Sequence, residues 1–251
     1  MSDYTRYSRQ VVLREVGVNG QSLLRDSSVL IVGVGGLGSA ASLYLAGAGI
    51  GRLMLSDHDR VDRSNLQRQI VYRSADIGRS KLDAATDALR ALNPECAIET
   101  LPGPLDDAGL LAAARSADLV LDCSDNFPTR FAVNAACVAA RKPLVSGAAI
   151  RFEGQLALFD TARGGACYAC LYGDSGEAQE TCEEAGVLGP VVGVVGSLQA
   201  LVAIKRLLGI GDDAGRLHLW DAVKLSWRTL GIARDPQCRV CCSPLPPTMK
   251  P

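Results

Sequence analysis

The sequence VLIVGVGGLGSA, residues 29–40, decides how the rest of the chain is interpreted. Its first four residues are apolar and mostly β-branched, which is typical of a short strand buried on both faces. Gly33, Gly35 and Gly38 follow in the pattern G-x-G-x-x-G, and an alanine-rich segment of helical character comes next. Such glycines permit a tight turn from strand to helix and let a phosphate approach the backbone at the helix N-terminus. The stretch therefore predicts a nucleotide-binding turn without specifying the nucleotide.

Composition and charge restrict the class of protein. The chain has 251 residues, a formal net charge of −1 and 48% hydrophobic residues, which suits one α/β domain with a large core. A nearly neutral chain gives no electrostatic reason to expect binding to nucleic acid or to a membrane. The first ten residues are polar, and no apolar run approaches about 18 residues, so we expect neither a secretory signal nor a spanning helix. A cytoplasmic location is expected.

The alternation of strands and helices predicts the fold. Over residues 28–148 short apolar runs alternate with helical segments, which predicts a Rossmann-like α/β fold with a doubly wound, mostly parallel sheet. Three later runs, at 155–159, 216–220 and 225–230, have the character of antiparallel strands that extend this sheet. A glycine-rich apolar helix is predicted between them, over 187–208.

The chain is expected to form a single domain, residues 1–251, in three parts. Residues 1–27 are predicted to be a helical arm with a break at 17–20, and the arm has few apolar residues of its own. It should therefore pack on another surface. Residues 28–150 form the nucleotide-binding part, and residues 151–251 complete the domain.

Acidic residues follow two predicted strands, at the end where a parallel sheet binds its ligands. Asp57 ends the second strand, 19 positions after Gly38, where a dinucleotide fold places the carboxylate that binds a ribose. A surface aspartate at a strand end is the simpler alternative. Asp122 and Asp125 follow the fourth strand, and both are suited to Mg²⁺, which takes one or two carboxylates together with water and phosphate oxygens.

Two cations come between these strands. The polar stretch SNLQRQ, residues 64–69, contains Arg68 and has no evident use in a dehydrogenase. Lys81 is expected in the first turn of the next helix, where the helix dipole disfavours a cation unless a phosphate lies nearby. A solvated lysine on the helix surface is the alternative.

Four of the nine cysteines form two Cys-x-x-Cys pairs, Cys167 with Cys170 and Cys238 with Cys241, which are 67 residues apart. Four thiolates at this spacing suit a tetrahedral structural Zn²⁺ with no open position. Cys242 stands next to Cys241, but the two-residue spacing favours Cys241. Three other cysteines are interpreted as packed core residues: Cys96, Cys123 and Cys137.

Cys182 lies in a polar, glycine-containing segment, residues 173–186, that we expect to form a mobile loop. Three glutamates, Glu180, Glu183 and Glu184, are its close neighbours in sequence. Negative charges raise the pKa of a thiol, so the local chemistry argues against an activated nucleophile at rest.

These motifs together resemble those of the adenylating enzymes of ubiquitin-like sulfur carriers, the bacterial relatives of ubiquitin-activating enzymes that serve thiamin and molybdopterin synthesis. The resemblance covers essentially the whole chain. It rests on the two cysteine pairs and on six stretches: YSRQ (7–10), GVGGLGS (33–39), DHDRVDRSNLQRQ (57–69), GRSK (78–81), DCSDN (122–126) and TCEEAGVLGP (181–190).

The resemblance implies an activity and the residues that perform it. The activity is ATP-dependent adenylation of the carrier's C-terminal glycine carboxylate, which releases pyrophosphate and prepares the carrier for thiocarboxylate formation. Arg68, Lys81 and Asp125 would act in catalysis, with Asp125 also holding Mg²⁺, and Arg9 would reach into the partner site of a homodimer. Residues 151–251 would bind the carrier, the zinc and the second subunit. The resemblance places ATP on Gly36, Asp57, Ser64, Asn65, Leu66, Gln67, Arg68, Lys81, Asp125 and Asn126.

The pathway stays open at this point. The stretch SGAAIRFEGQ (146–155) is more similar to the molybdopterin branch, whereas YLAGAGIG (44–51) and GVLGPVVGVVG (186–196) are more similar to the thiamin branch. In the thiamin branch the cysteine at the position that matches Cys182 forms a covalent link to the carrier. The molybdopterin branch does not need this cysteine. No rhodanese domain follows Cys242, unlike in eukaryotic relatives, so a sulfur donor in trans is expected, either a desulfurase or a rhodanese.

Two other functions are weighed against this one. An NAD-dependent oxidoreductase on the same fold would use the glycine turn and Asp57, but it would leave Arg68, Lys81 and both cysteine pairs without a role. A catalytically inactive scaffold that binds the carrier would not need Arg68, Lys81 and Asp125 to be intact.

Overall fold

Eight strands form one sheet in the computed structural model, which describes residues 5–173 and 185–242. The strands are β1 Ser28–Val32, β2 Arg52–Asp57, β3 Ala97–Pro102, β4 Leu119–Asp122, β5 Leu144–Ile150, β6 Glu153–Phe159, β7 Arg216–Asp221 and β8 Ser226–Gly231. The helices are α1 Ser8–Val11, α2 Gly17–Asp26, α3 Gly36–Ala48, α4 Lys81–Leu92, α5 Asp107–Ser116, α6 Phe127–Ala140, α7 Tyr168–Tyr172 and α8 Gly189–Leu208. The four elements predicted at 155–159, 187–208, 216–220 and 225–230 are present, and their ends differ from the predicted ones by at most two residues.

The strand order is β3-β2-β1-β4-β5-β6-β7-β8. The first five strands in this order, β3, β2, β1, β4 and β5, are parallel, because helices connect them across the faces of the sheet. Strands β6 to β8 pair antiparallel with their neighbours, and the connection from β5 to β6 is the two-residue turn at 151–152. The predicted fold class, a doubly wound sheet extended by antiparallel strands, is confirmed.

Helices cover both faces of the sheet. All five residues of β1 are buried, with Val29 and Ile31 in the core beneath α3, α4 and α8, and Leu30 and Val32 in the core beneath α5 and α6. This double burial explains the continuous apolar run that predicted the strand. It also fixes β1 as the centre from which the ligand-binding loops emerge.

Helix α8 has the composition of a membrane span, but one side of it packs against the sheet and α3. Among the described residues it is the one helix that is long and apolar enough to cross a bilayer, with a mean hydropathy of 1.7. The expectation that no apolar stretch reaches this length is therefore wrong. The helix packs along α3 and against β5 and β6, and it buries side chains such as Val191, Val195 and Ala203.

The N-terminal arm differs from its prediction in one respect. No break occurs at 17–20, because α2 begins at Gly17 and runs through Gly20. A Cβ on Gly20 would stand 3.2 Å from Leu208 of α8, so close helix packing here outweighs the poor helix propensity of glycine. The interruption of the arm lies earlier, between α1 and α2. The division of the domain into three parts stays a prediction.

Candidate active site

Three loops meet at the carboxyl edge of the parallel strands. We call residues 33–38, which follow β1, the glycine loop, and residues 123–126, which follow β4, the acidic loop. The third loop, residues 58–80, connects β2 to α4. Strand β1 lies between β2 and β4, and the chain runs outward from it in both directions, so the crevice at the end of β1 is the usual ligand site of an open α/β sheet.

The glycine loop is shaped by backbone contacts that exclude side chains. Gly33 has a φ of +88°, and a Cβ there would stand 2.8 Å from the carbonyl oxygen of Cys123 in the acidic loop. A Cβ on Gly38 would overlap the carbonyl oxygen of Gly33. Helix α3 begins at Gly36 without a side-chain cap, so its first N–H groups and its positive dipole end are available to an anion.

The backbone of Val34 is held at both its N–H and its carbonyl group. Its N–H donates to Asp57 Oδ2 at 2.7 Å, and its carbonyl accepts a 2.8 Å hydrogen bond from the hydroxyl of Tyr72. Tyr72 is buried, which raises the pKa of its hydroxyl well above the usual value. Asp57 Oδ1 accepts the N–H of Asp59 at 2.9 Å. A carboxylate can accept about four hydrogen bonds, so Asp57 keeps capacity for a ribose hydroxyl, and that role stays a prediction.

Lys81, the first residue of α4, is buried. Its side chain is 7% exposed, and its Nζ donates to Asp59 Oδ2 at 2.8 Å, so the alternative of a solvated surface lysine is wrong. Burial raises the pKa of Asp59, but the hydrogen bond and charge of Lys81 outweigh it and hold that pKa below its usual range. Through Asp59 and Asp57 the lysine is connected to the glycine loop.

The stretch 64–69 forms a turn beside α3. Asp62 caps it by accepting the N–H of Ser64 at 2.8 Å, and Asn65 Oδ1 accepts the N–H of Asp62 at 3.2 Å. Arg68 Nη1 donates to the carbonyl of Ser64 at 3.1 Å, and its Cγ lies 3.6 Å from where a Cβ of Gly36 would stand. The turn thus places the aliphatic part of the Arg68 side chain next to the N-terminus of α3.

The first turn of α8 packs against the 64–69 turn and the start of α3. Gly189 contacts the backbone of Gln67, and Val192 lies against Gly36, where a Cβ would stand 2.7 Å from its Cγ1. Leu66 is half-buried against the core. Gln67 and Leu66 therefore join the 64–69 turn to the protein, and a role for them in binding a nucleotide stays a prediction.

Asp122 is turned inward from the acidic loop. Its Oδ1 accepts the N–H and the hydroxyl of Ser124 at 3.0 and 2.6 Å, while its Oδ2 lies 3.1 Å from Ser146 Oγ and 3.4 Å from Arg130 Nη1. Arg130 Nη2 in turn donates to the carbonyl of Ser124 at 2.6 Å. The expectation that Asp122 binds Mg²⁺ is wrong, because the carboxylate is fully buried and its oxygens are occupied by these groups.

Asp125 is the exposed acidic residue of this loop. Its Oδ1 accepts a weak 3.3 Å hydrogen bond from Asn126 Nδ2, and Asn126 Oδ1 caps α6 by accepting the N–H of Thr129 at 2.9 Å. The carboxylate otherwise faces solvent beside the glycine loop. One exposed carboxylate with room for water and phosphate oxygens fits the ligand set of Mg²⁺.

The four predicted cysteines come together beside α6, where they pack with Phe131 and Val138 of that helix. Their Sγ atoms lie within 4.8 Å of one another, with separations of 3.8 Å for Cys167–Cys170, 3.7 Å for Cys167–Cys238 and 3.5 Å for Cys170–Cys241. Sulfurs bound tetrahedrally to zinc at about 2.3 Å are about 3.8 Å apart, so the cluster fits this metal. The exposed Cys242 instead donates to the carbonyl of Asp235 at 3.3 Å.

The other cysteines divide into two groups. The three that were interpreted as core residues are buried: Cys96, Cys123 and Cys137. Burial raises the pKa of the Cys96 thiol to about 11, which makes it a poor nucleophile. Cys182 lies outside the described residues.

Arg9 lies far from the crevice of its own chain. Its neighbour Tyr7 accepts a hydrogen bond from Asn93 at 2.8 Å and donates to Glu95 at 3.1 Å, and it packs against Gly49. These partners follow the last turns of α3 and α4, whereas the crevice lies at their first turns. The 13 residues of α3 span about 20 Å, so α1 is at the opposite edge of the sheet.

Sequence comparison assigns the family. A model described as the ThiF family matches residues 7–240. The chain belongs to the ThiF family. It is 51% identical to the molybdopterin-synthase adenylyltransferase of Escherichia coli K12 over 94% of this chain and 95% of that protein, and 48% identical to the sulfur carrier protein ThiS adenylyltransferase of the same organism over 95% of each. These two relatives agree with the resemblance drawn from the motifs.

Two further matches have less in common with this ThiF-family chain. The adenylyltransferase and sulfurtransferase MOCS3 of Drosophila virilis is 46% identical over 95% of the chain, which spans 54% of that protein. The crystal structure of E. coli MccB with MccA-N7isoASN superposes with a TM-score of 0.84, covering 97% of this chain and 76% of the other at 24% identity. At this identity the superposition shows the fold alone.

Three residues of the ThiF-family site were missed from the sequence. Asp59, Tyr72 and Arg130 each hold a loop or a side chain that the motifs did predict. Asp59 stands inside the quoted stretch 57–69, two positions after Asp57, and this is the one signal that could have drawn attention to it. Tyr72 and Arg130 are single residues without a pattern around them.

Proposed function

We propose that this protein adenylates the C-terminal glycine carboxylate of a ubiquitin-like sulfur carrier, consuming ATP and releasing pyrophosphate. One observation carries the proposal: Arg68, Lys81 and the uncapped N-terminus of α3 lie around one glycine loop, with the carboxylate of Asp125 on the neighbouring loop. These three positive groups together suit the negative charge of a triphosphate. The bacterial relatives named as adenylyltransferases support the same activity.

The reaction needs positioned charge rather than a general base. A C-terminal carboxylate has a pKa of about 3.5 and is ionised near neutral pH. One of its oxygens attacks the α-phosphorus of ATP, the bond from that phosphorus to the bridging oxygen breaks, and pyrophosphate leaves. The rate therefore depends on holding the reactants in line and on offsetting the charge of the triphosphate.

The site residues divide this work. The N–H groups of α3 and the guanidinium of Arg68 bind phosphate oxygens, and Lys81 contributes a second cation. Asp125 would hold Mg²⁺, and the ion would supply positive charge that offsets part of the phosphate charge. Asp57 accepts from the ribose, and the turn at 64–67 with Asn126 completes the nucleotide site.

An NAD-dependent oxidoreductase is the alternative for the same fold. It would use the glycine loop and Asp57 in the same way. Hydride transfer has no use for Arg68, Lys81 or an exposed Asp125, however, and the similar proteins of E. coli are named for adenylation. No observation favours this second function.

The experiment is ATP–pyrophosphate exchange with purified protein and two carriers, one of the thiamin type and one of the molybdopterin type. We expect exchange with at least one carrier and none with the same carrier lacking its terminal glycine. Absence of exchange with both carriers, together with saturable binding of NAD, would contradict the proposal. The carrier that supports exchange also names the pathway.

We further propose a homodimer in which Arg9 serves the site of the other subunit. The distance of α1 from its own crevice supports this arrangement. Packed helices of one face also expose large apolar side chains, among them Leu23 of α2, Tyr44 of α3 and Leu201 of α8, at 50–60%. Exposed apolar side chains on helices that pack together support an interaction surface on this face.

The dimer is tested by mixing two inactive variants. Arg9→Ala chains retain Asp125, and Asp125→Ala chains retain Arg9, so each hybrid dimer contains one intact site. After verified subunit exchange of equal amounts, we expect about a quarter of wild-type exchange activity to return. If none returns, Arg9 does not act across a dimer.

The remaining proposals concern sulfur and location. The chain spans 95% of the bacterial relatives named for adenylation alone and 54% of the insect relative named for adenylation and sulfur transfer. The name of the insect relative pairs adenylation with sulfur transfer, which supports a sulfur donor, a desulfurase or a rhodanese, as a partner. The four-cysteine cluster holds a structural Zn²⁺, and the protein works in the cytoplasm.

A further inference from the structure

Asp59 lies beside Lys81, and the reaction described above gives it no role. Its Oδ2 accepts from Lys81 Nζ at 2.8 Å, and its backbone carbonyl accepts the N–H of Lys81 at 3.0 Å. Within the described part of the chain it is the only acidic partner of that lysine. Both the backbone and the side chain of Lys81 are therefore tied to one residue.

Lys81 would not keep its place without such a partner. Its side chain is 7% exposed, and it begins α4, where the partial positive charge of the helix N-terminus opposes a cation. A long, flexible lysine side chain in this position gains by turning its ammonium group toward water. The carboxylate of Asp59 offsets both effects and keeps the ammonium group inside the site.

Asp59 is in turn held by the nucleotide site. Its N–H donates to Asp57 Oδ1 at 2.9 Å, and Asp57 Oδ2 accepts the N–H of Val34 at 2.7 Å. Hydrogen bonds through Asp59 and Asp57 thus connect Lys81 to the glycine loop. An ammonium group has three N–H donors, and Asp59 uses one, which leaves two for phosphate oxygens.

The exposure of the pair is unequal. The side chain of Asp59 is 54% exposed and faces solvent, whereas Lys81 lies beneath it. We propose that Asp59 is a positioning residue that directs Lys81 toward the triphosphate and acts only through that lysine. The proposal rests on the proposed function, which assigns Lys81 to ATP.

The test is a double-mutant cycle in ATP–pyrophosphate exchange with the carrier that supports it. Asp59→Ala should lower kcat at least about tenfold, while the KM for ATP changes less than about threefold. In the Lys81→Ala background the same change should alter kcat less than about twofold, because the group through which it acts is gone. Asp59→Glu should restore most of the lost kcat, and neither variant should change the melting temperature.

A second measurement does not depend on activity. Without ATP, acylation of Lys81 by an amine-reactive reagent, followed by peptide mass spectrometry, should be several times faster in Asp59→Ala than in the wild type. Asp83→Ala is the matched control, since Asp83 is an exposed carboxylate in the same first turn of α4. It should leave both the labelling rate and kcat unchanged.

Three results would overturn the proposal. Additive losses in the cycle would mean that Asp59 itself touches substrate or metal, and a lower KM for ATP in Asp59→Ala would mean that it competes with phosphate. Unchanged labelling of Lys81 would mean that Asp59 does not hold it. Absence of exchange in the wild type would count against the proposed function alone, because labelling still decides the position of Lys81.

Discussion

The nucleotide crevice and the four-cysteine cluster are two sites of one protein, built on opposite principles. The crevice is assembled by the sheet, and its loops are fixed by the protein's own hydrogen bonds, such as those that hold Val34 and Ser124 at both of their polar groups. In the cluster two segments distant in sequence bring four sulfurs together, and thiols alone bind one another weakly. Loss of a group from the crevice should therefore cost activity, and loss of a sulfur should cost stability.

Helices α6 and α7 join the two regions. The N–H of Tyr168, next to Cys167, donates to Asn134 of α6 at 2.9 Å. The ring of Tyr168 packs edge-on against Phe131 of α6, with ring centres 5.4 Å apart. Helix α6 also carries Arg130, which holds the acidic loop. The comparison can therefore be tested at each region and at the helix between them.

The largest effect is expected from Cys170→Ser. A structural zinc site contributes directly to folding, so loss of one ligand should lower the free energy of unfolding by about 4 kcal/mol or more. Exchange activity per folded molecule should stay close to wild type. Denaturant unfolding and elemental analysis for zinc are the measurements. Cys242→Ser is the matched control and should change neither the free energy of unfolding nor the zinc content. Wild-type protein that contains no zinc would contradict this interpretation.

Arg130→Ala should have the next largest effect, and it should lower both stability and exchange activity. Removing one member of a buried ion pair leaves the carboxylate of Asp122 uncompensated, which costs about 3 kcal/mol of stability. The acidic loop also loses the hydrogen bond that Arg130 donates to the carbonyl of Ser124, so exchange should fall as well. Arg90→Ala, on the exposed surface of α4, is the control. Unchanged exchange in folded Arg130→Ala would show that the loop is fixed by other contacts.

Asp125→Ala should affect activity alone. Loss of a preorganised charged contact typically lowers the rate at least about a hundredfold, or about 2.7 kcal/mol of transition-state stabilisation. The melting temperature should not change, because the side chain is exposed. Asp107→Ala removes an exposed carboxylate from the first turn of α5 and should leave exchange intact. A large loss of stability in Asp125→Ala would remove the contrast between the two regions.

Cys182→Ala should have the smallest effect. A thiol takes no part in the attack on the α-phosphorus, so exchange should stay within about threefold of wild type, a difference of less than about 1 kcal/mol. Sulfur transfer to the carrier is measured on the same variant. If exchange and transfer fall together, Cys182 acts in the adenylation step and this prediction is wrong.

The sequence was sufficient where a feature is local or repeated. The glycine loop depends on residues within one turn, and the cysteine pairs have a spacing that metal chemistry explains, so both could be predicted with their residue numbers. It was insufficient where one residue pairs with another that is distant in the chain. Nothing in the spacing of Asp59 and Lys81, 22 positions apart, indicates an ion pair.

Packing explains the predictions that were wrong. Asp122 was expected to face a ligand because it ends a strand, but the neighbouring strand and α6 enclose it with Ser146 and Arg130. A break of the arm was expected at 17–20, but α2 begins at Gly17 and runs through Gly20, which packs closely against Leu208 of α8. In each case a local preference was overruled by a neighbour that only the folded chain brings near.

The separation of the two cysteine pairs also sets an order of events during synthesis. Every strand of the parallel sheet has been made before Cys167 and Cys170 leave the ribosome, and another 67 residues separate Cys170 from Cys238. The sheet can thus begin to fold while the chain is still being translated, as N-terminal regions commonly do. The cluster cannot close until Cys241 has emerged. Capture of the proposed zinc by all four sulfurs would therefore be a late event, since it requires a chain translated at least that far.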